Sequence, residues 1–462
     1  MKRTSKKLLI ALALIEVGFC YGVVSHQFEW VSFRVPDSVS GDRLWRLVHK
    51  EPAGAASAER IDSQERRLAS LSQLGYLSGY KPPPPKVGVL IHHPERAHGG
   101  YNFYLSADSP GAFLMDMEGN DRHAWSHPFQ NDWPALPPGE KLCQHEQHTG
   151  FWRRAHLFPN GDVLAIFEGS ALIKLDRNSN LLWAYRGGFH HDLDVADDGR
   201  IYVLTRRDRS HHPAVVQRAP LVEDLIAVLS PEGELLERVS LLDAIAHSQY
   251  RDFLFARVPP EADILHTNTL ELLHGRLESE SNAFRKGNVL ISFRNVDVIA
   301  VVDLAQQKVV WALAGMWKMQ HDPTILDNGN MLVFDNQGGR DGYSKVLEFD
   351  PFTQAVAWAY EGNEGNEFFS EFCGSNQRLP NGNTLITDSL SGRALETTPA
   401  GEPAWQWVNP RRAGPGDELI ATVYEMLRIE CDFVQNWLAS DRVSESETRA
   451  RYPASQSVSI SN

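Results

Sequence analysis

A chain of 462 residues, 42% hydrophobic and 23% charged, has the composition of a soluble globular protein with room for one large domain or several average ones. The formal net charge of −14, with no long basic stripe, argues against nucleic-acid binding and requires any anion site to be locally positive on an acidic background. Four cysteines (Cys20, Cys143, Cys373 and Cys431) are too few for a disulfide framework and leave room for at most a Cys143–Cys373 bridge in an oxidising compartment.

The chain opens with the basic stretch MKRTSKK, followed by an apolar run from Leu8 to Val24 that Glu16 interrupts. The run is close to the shortest that spans a bilayer, and no A-x-A cleavage site follows it. Residues 1–30 therefore read as an uncleaved signal-anchor, a transmembrane helix. The positive-inside rule then puts the rest of the chain on the extracytoplasmic, periplasmic side. Residues 31–86 read as a helical linker that ends in KPPPPK, Lys81 to Lys86, a stiff polyproline spacer at the domain boundary.

From 87 to 410 the texture is that of short strands, and the strands repeat. LFPNGDVLAIFEGSALIKLDRNSNLLWAY, ILDNGNMLVFDNQGGRDGYSKVLEFDPFTQAVAWAY and RLPNGNTLITDSLSGRALETTPAGEPAWQWV share one grammar. A strand ends in an NG or DG turn, a second and third follow across polar bends, and a fourth carries a Trp such as Trp183, Trp311, Trp358 or Trp405. Interrupted copies start at Val195 and Glu271, and a weaker one at Tyr101. Four short strands repeating roughly every 30 to 45 residues predict blades of a β-propeller, six in all, with the tryptophans packing blade on blade. Residues 411–462 read as a C-terminal helix, over Gly416 to Leu438, and a loose polar tail. The expected fold class is all-β: a six-bladed β-propeller with an N-terminal membrane helix and flanking α-helices.

Aligned on their first turn, successive blades carry histidines in one place. His321 precedes Asn328-Gly329 as His191 precedes Asp198-Gly199, and His266 falls at the matching position of the copy between them. First strands line the central channel of a propeller, so these three imidazoles should meet at one spot. Asn268 lies two residues from His266 on the same strand face. Arg294, where a second strand meets its bend, adds a planar cationic fork. Imidazoles with a guanidinium and an amide make an anion site that also shuttles protons or attacks as a nucleophile. Three histidines also hold a metal with an open position, and Asp192 and Asp322 are the candidates for orienting the rings in either case. No Walker A loop, G-x-G-x-x-G or G-x-S-x-G motif is present, which disfavours nucleotide-dependent transfer.

HHDLDV (His190 to Val195), LHTN (Leu265 to Asn268), SFR (Ser292 to Arg294) and QHD (Gln320 to Asp322), in that order within a six-fold repeat, resemble the bacterial arylsulfate sulfotransferases, which do not use the nucleotide sulfate donor PAPS. The resemblance covers roughly residues 87 to 410. It implies ping-pong transfer of a sulfuryl group from an aryl sulfate to a phenolic acceptor through a sulfohistidine, without cofactor or metal. His321 takes the nucleophile's position, His191 and His266 the supporting positions, and Arg294 and Asn268 the substrate-binding ones. Asp322 stands where the family has Thr, so its carboxylate either repels a sulfate or fixes the His321 tautomer. The competing expectations are a metal-dependent hydrolase or lyase built on His191, His266 and His321, and a non-catalytic membrane-tethered scaffold.

Overall fold

The structure, a computed structural model, describes residues 78–438 except 132, 135, 137–142, 144–147, 216–220, 260–261, 363–366 and 415. The expected signal-anchor, most of the linker and the polar tail lie outside the described residues. Among the described residues no helix is long and apolar enough to cross a membrane.

Six antiparallel sheets, each of at least four strands, form the blades. Their first hairpins close on the expected turns. Gly199 and Gly329 adopt φ of 82° and 85°, which a residue with a Cβ adopts only with strain. In the middle of a blade both sheet faces are covered by neighbours, so strands such as Val289–Phe293 and Val298–Asp303 are buried at every position.

The innermost strands are Arg154–Leu157 in blade two, Phe189–Val195 in three, Thr267–Leu272 in four, His321–Ile325 in five and Ser375–Arg378 in six. The inner strand of blade one is Val423–Ile429, from the other end of the chain, paired with Tyr101–Ser106. This corrects the reading of Gly416 to Leu438 as one helix. The segment is a strand that closes the ring, followed by a short helix, Cys431–Leu438, whose Trp437 packs on Trp125 of blade one at 5.8 Å. The strand Gly88–His92 adds a fifth strand to the outer edge of blade six. Lys81, at the head of the proline run, is also tied to the ring, through Nζ to Phe369 O and Ser391 Oγ.

The tryptophans serve the predicted purpose. In four blades the outer-strand indole N–H donates to a turn carbonyl of the next blade: Trp125 to Gly161, Trp183 to Pro231, Trp358 to Pro399 and Trp405 to Met117. A large apolar ring fills the wedge between blades while its polar tip fixes their registration.

Around the channel, inner strands belong to different sheets, so their N–H groups facing the next blade have no ladder partner. Side chains supply one. Asp192 accepts from Leu270 N at 2.8 Å and Asp194 from Leu272 N at 2.9 Å. Glu271 accepts from Ile325 N at 3.0 Å, Asp322 from Asn376 N at 2.7 Å and Gln377 from Arg428 N at 2.7 Å. Arg154 completes the circuit by pairing with Asp192 at 2.8 Å and with Glu425. These carboxylates line a cavity of about 320 Å³ in the channel, and their placement is explained by the stitching of blade to blade.

Candidate active site

At the head of the inner strands the backbone is strained in the same way in successive blades. His191, His266, Met319, Asp322 and Cys373 have φ of 52°, 48°, 57°, 51° and 58°. The inner strands of blades three, four and five each carry a register shift beside these residues: between Phe189 and Leu193, between Thr267 and Thr269, and between His321 and Thr324. Bulges and left-handed residues re-aim side chains that a regular pleat would send into the neighbouring blade, and such strain persists where the surroundings over-determine it. The result is a cluster of imidazoles at one end of the channel.

His191 and His266 lie edge to face, with ring centroids 4.8 Å apart. His190, which the repeat alignment did not single out, stands behind His191 with Nδ1 to Nδ1 at 3.0 Å. His321 is 3% exposed and sits within the field of the same group. Its pKa is held well below the usual histidine range, first by burial and then by the charge of Arg294, with Arg153 and His266 adding to the effect and the Asn336 hydrogen bond opposing it. Burial, then Arg153, His266, His190 and Arg206, push His191 down likewise. Guanidinium groups therefore stand close to neutral imidazoles although the chain as a whole is acidic, and the carboxylates of Glu168, Asp224 and Asp263 also touch the cluster.

The tautomer of His321 follows from its partners. Asn336 Nδ2 donates to Ser370 O at 2.8 Å and to Cys373 O at 2.6 Å, so its Oδ1 is the atom that faces His321 Nδ1 at 2.8 Å. An amide oxygen only accepts, so Nδ1 carries the hydrogen and Nε2 the lone pair. The Cys373 N–H approaches that lone pair at 3.3 Å. Asn336 occupies the blade-five counterpart of Arg294, so one repeat position supplies a cation in one blade and a tautomer lock in the next.

His266 is oriented by Asp263, whose Oδ2 lies 2.5 Å from Nδ1 and whose Oδ1 accepts the His266 N–H at 3.1 Å. Asn268 donates to Gln320 O at 2.9 Å and so braces the residue before His321. Arg294 is half-buried. Its Nη1 donates to Asn295 at 2.9 Å, Asn295 in turn donates to Asp263 O at 2.7 Å, and its Nε is buried without a hydrogen bond. Arg206 and His191 share the buried carboxylate of Glu168, at 3.4 and 3.5 Å.

Three expectations change. Asp192 and Asp322 do not orient the imidazoles; they are committed to backbone N–H groups of the next inner strand, and Asp263 and Asn336 take that part. Asp322 therefore neither fixes the His321 tautomer nor presents a loose carboxylate to an anion. Cys143 and Cys373 are buried thiols not joined in a disulfide, and Cys143 Sγ donates to Asp208 at 3.0 Å. Finally, among the described residues the side chains placed to share a metal ion are Glu168, His190 and His191, rather than His191, His266 and His321. A divalent ion there would face Arg206 at the same carboxylate.

Arg153, Arg206, Asp263, Asn336 and Tyr424 also belong to this site. The repeat alignment puts Arg153 or Arg154 at the histidine position and Asn336 opposite Arg294, whereas Arg206, Asp263 and Tyr424 escaped the sequence reading.

Residues 154–410, more than half of the chain, match the sequence signature of the arylsulfotransferase (ASST) family. No curated protein matches the chain in sequence. Among solved structures, a protein of unknown function from Bacteroides caccae aligns at 12% identity and a TM-score of 0.45, over 71% of this chain and 98% of its own. A streptogramin B lyase aligns at 11% identity and a TM-score of 0.40, over 77% and 98%. Virginiamycin B lyase from Staphylococcus aureus aligns at 9% and 0.33, over 60% and 83%. Similarities this remote carry no functional argument.

Proposed function

Because the chain belongs to the arylsulfotransferase family, we propose that it moves a sulfuryl group from an aryl sulfate to a phenolic acceptor in two steps through a sulfohistidine on His321. The observation that carries this reading is the pairing of His321 Nδ1 with Asn336, which leaves the Nε2 lone pair, approached by the Cys373 N–H, among imidazoles and guanidinium groups. Nε2 attacks the sulfur as the bond from sulfur to the aryl oxygen breaks. The departing phenolate takes the Nε2 proton of the His266 imidazolium, which the Asp263 carboxylate holds in place and which becomes neutral. In the second step the acceptor phenol returns a proton to His266, its oxygen attacks the sulfur, and the N–S bond breaks.

The transition state is loose, by analogy with phosphoryl transfer, and spreads charge over three equatorial oxygens. Arg294 and Arg153 are the cations for that charge, and fixed donors in a dry site stabilise it without reorganisation. One amide hydrogen of Asn268 serves Gln320 O and the second serves the sulfuryl group. The test is release of 4-nitrophenolate from 4-nitrophenyl sulfate with phenol as acceptor. Turnover by the wild type and none by His321→Ala is expected. Equal activity of the two proteins excludes the reading, and no activity in either favours a scaffold.

The grouping of Glu168, His190 and His191 favours one second reading, a metal-dependent hydrolase or lyase. Arg206 beside Glu168 weighs against it. Stoichiometric metal in the purified protein, with activity lost on its removal, would reverse that judgement.

A further inference from the structure

Tyr424 lies on the strand that closes the ring, at the end of the channel where the imidazoles gather. It is 2% exposed and belongs to a small cluster with Ala107, Phe151 and Cys373. Its ring centroid is 5.1 Å from that of Phe151, and the guanidinium carbon of Arg153 stands 4.8 Å over its face. Cys373, in the same cluster, directs its N–H at Nε2 of His321.

The hydroxyl is the unexplained part. Tyr424 Oη is buried and makes no hydrogen bond. An unmet buried hydroxyl destabilises the fold, and phenylalanine would fill the same space without that penalty. Burial raises the phenol pKa well above its usual value. Cys373, Tyr80 and Glu168 act in the same direction and Arg153 against them, so the group remains an O–H donor at any working pH. Arg153 and Glu168 are also the residues that bear on His191, and Arg153 bears on His321. The donor is therefore buried beside the site, held by aromatic packing, and lacks only an acceptor.

We propose that the Tyr424 hydroxyl donates a hydrogen bond to an oxygen of the bound sulfuryl group, beside Arg153. This rests on reading the site as a sulfuryl site and adds a neutral donor to its cations. A protonated phenol places a hydrogen on the oxyanion without attracting a second anion, and the Phe151 ring keeps it from turning elsewhere.

The test compares wild type with Tyr424→Phe, which removes one oxygen. Without ligand, the variant should melt at the same temperature or higher, because an unmet hydroxyl is gone. With inorganic sulfate as the probe, melting and calorimetric titration should show sulfate stabilising the wild type and binding the variant about 10-fold more weakly. The kcat/KM for 4-nitrophenyl sulfate should fall roughly 10- to 100-fold. Sulfate affinity and turnover equal to wild type overturn the inference, as does a melting point several degrees lower, which would assign the hydroxyl to the fold. If the wild type turns over substrate normally and only the variant comparison fails, the sulfuryl site stands and the role of Tyr424 falls. If the wild type neither binds sulfate nor turns over, both fall.

Discussion

Asp263 Oδ2 lies 2.5 Å from Nδ1 of His266, and the same carboxylate accepts the His266 backbone N–H. Two bonds from one side chain fix both the ring and the left-handed backbone that carries it. His191 has a looser version of this arrangement: Glu168 accepts its backbone N–H at 3.1 Å and faces its Nδ1 at 3.5 Å, but that Nδ1 lies nearer His190, at 3.0 Å, and the carboxylate also pairs with Arg206. Of the two candidates for proton transfer, His266 is the one held like a catalytic acid and base.

The dependence on leaving group follows. Replacing Asp263 by Asn keeps a hydrogen-bonding side chain but removes the charge that stabilises an imidazolium. Transfer from unsubstituted phenyl sulfate, whose phenolate needs the proton, should slow about 100-fold, whereas 4-nitrophenyl sulfate should slow only a few-fold. Equal losses for both donors would make Asp263 structural alone.

His321 should keep its nucleophilicity in mild acid. Burial and Arg294 hold its pKa well below 6.5, so it stays neutral as pH falls through the range where an ordinary histidine protonates. The kcat/KM for the donor should show no protonation of the nucleophile between pH 7 and about pH 6. Asn336→Ala releases Nδ1 and also removes a donor from two buried carbonyls, Ser370 O and Cys373 O. A loss of roughly 10- to 100-fold in kcat is expected, with a fall in stability of about 2 kcal/mol measured by denaturation.

Arg294 is offered as a planar fork for the sulfuryl oxygens, so charge alone should not replace it. Arg294→Lys should lower kcat/KM for aryl sulfates about 10-fold or more, with the fold intact by circular dichroism. Activity at the wild-type level would remove Arg294 from the anion site.

The channel carboxylates make a separate prediction about pH. Burial raises the pKa of Glu271 to about 8, against 4.5 for an unperturbed group. The unfolded chain therefore releases this proton first, and stability contributed at pH 5 is lost as pH rises toward 8. Glu271→Gln keeps an acceptor for Ile325 N and has no proton to lose. It should flatten the stability profile over that window and be the more stable protein at pH 8, by an amount on the order of a few kcal/mol. A profile as steep as wild type would contradict the assignment.

The blades were legible because their turns are local: Asn328-Gly329 and Asp198-Gly199 announce hairpins from the sequence alone, and the shared offset located His191, His266 and His321. Val423–Ile429 was not, because an innermost strand has both faces covered. VYEMLRI shows no clean alternation and mimics a helical spacing. The missing strand was still implied, since the first repeat, from Tyr101, supplies only three of the four a blade needs. Asp263, and the role of Asn336 beyond its place opposite Arg294, escaped notice for another reason. Their roles depend on bulges and left-handed turns that bring a residue at i−3, or one on the adjoining strand, onto an imidazole, and no periodic pattern encodes that.

The most direct test of the central claim is to mix the protein with 4-nitrophenyl sulfate alone, quench within the first turnover, and map the adduct by mass spectrometry under conditions that preserve N–S bonds. A burst of one nitrophenolate per chain, with a single sulfuryl group on His321, is the expected result. A burst with the label on another residue, or steady release with no labelled protein, would contradict transfer through His321.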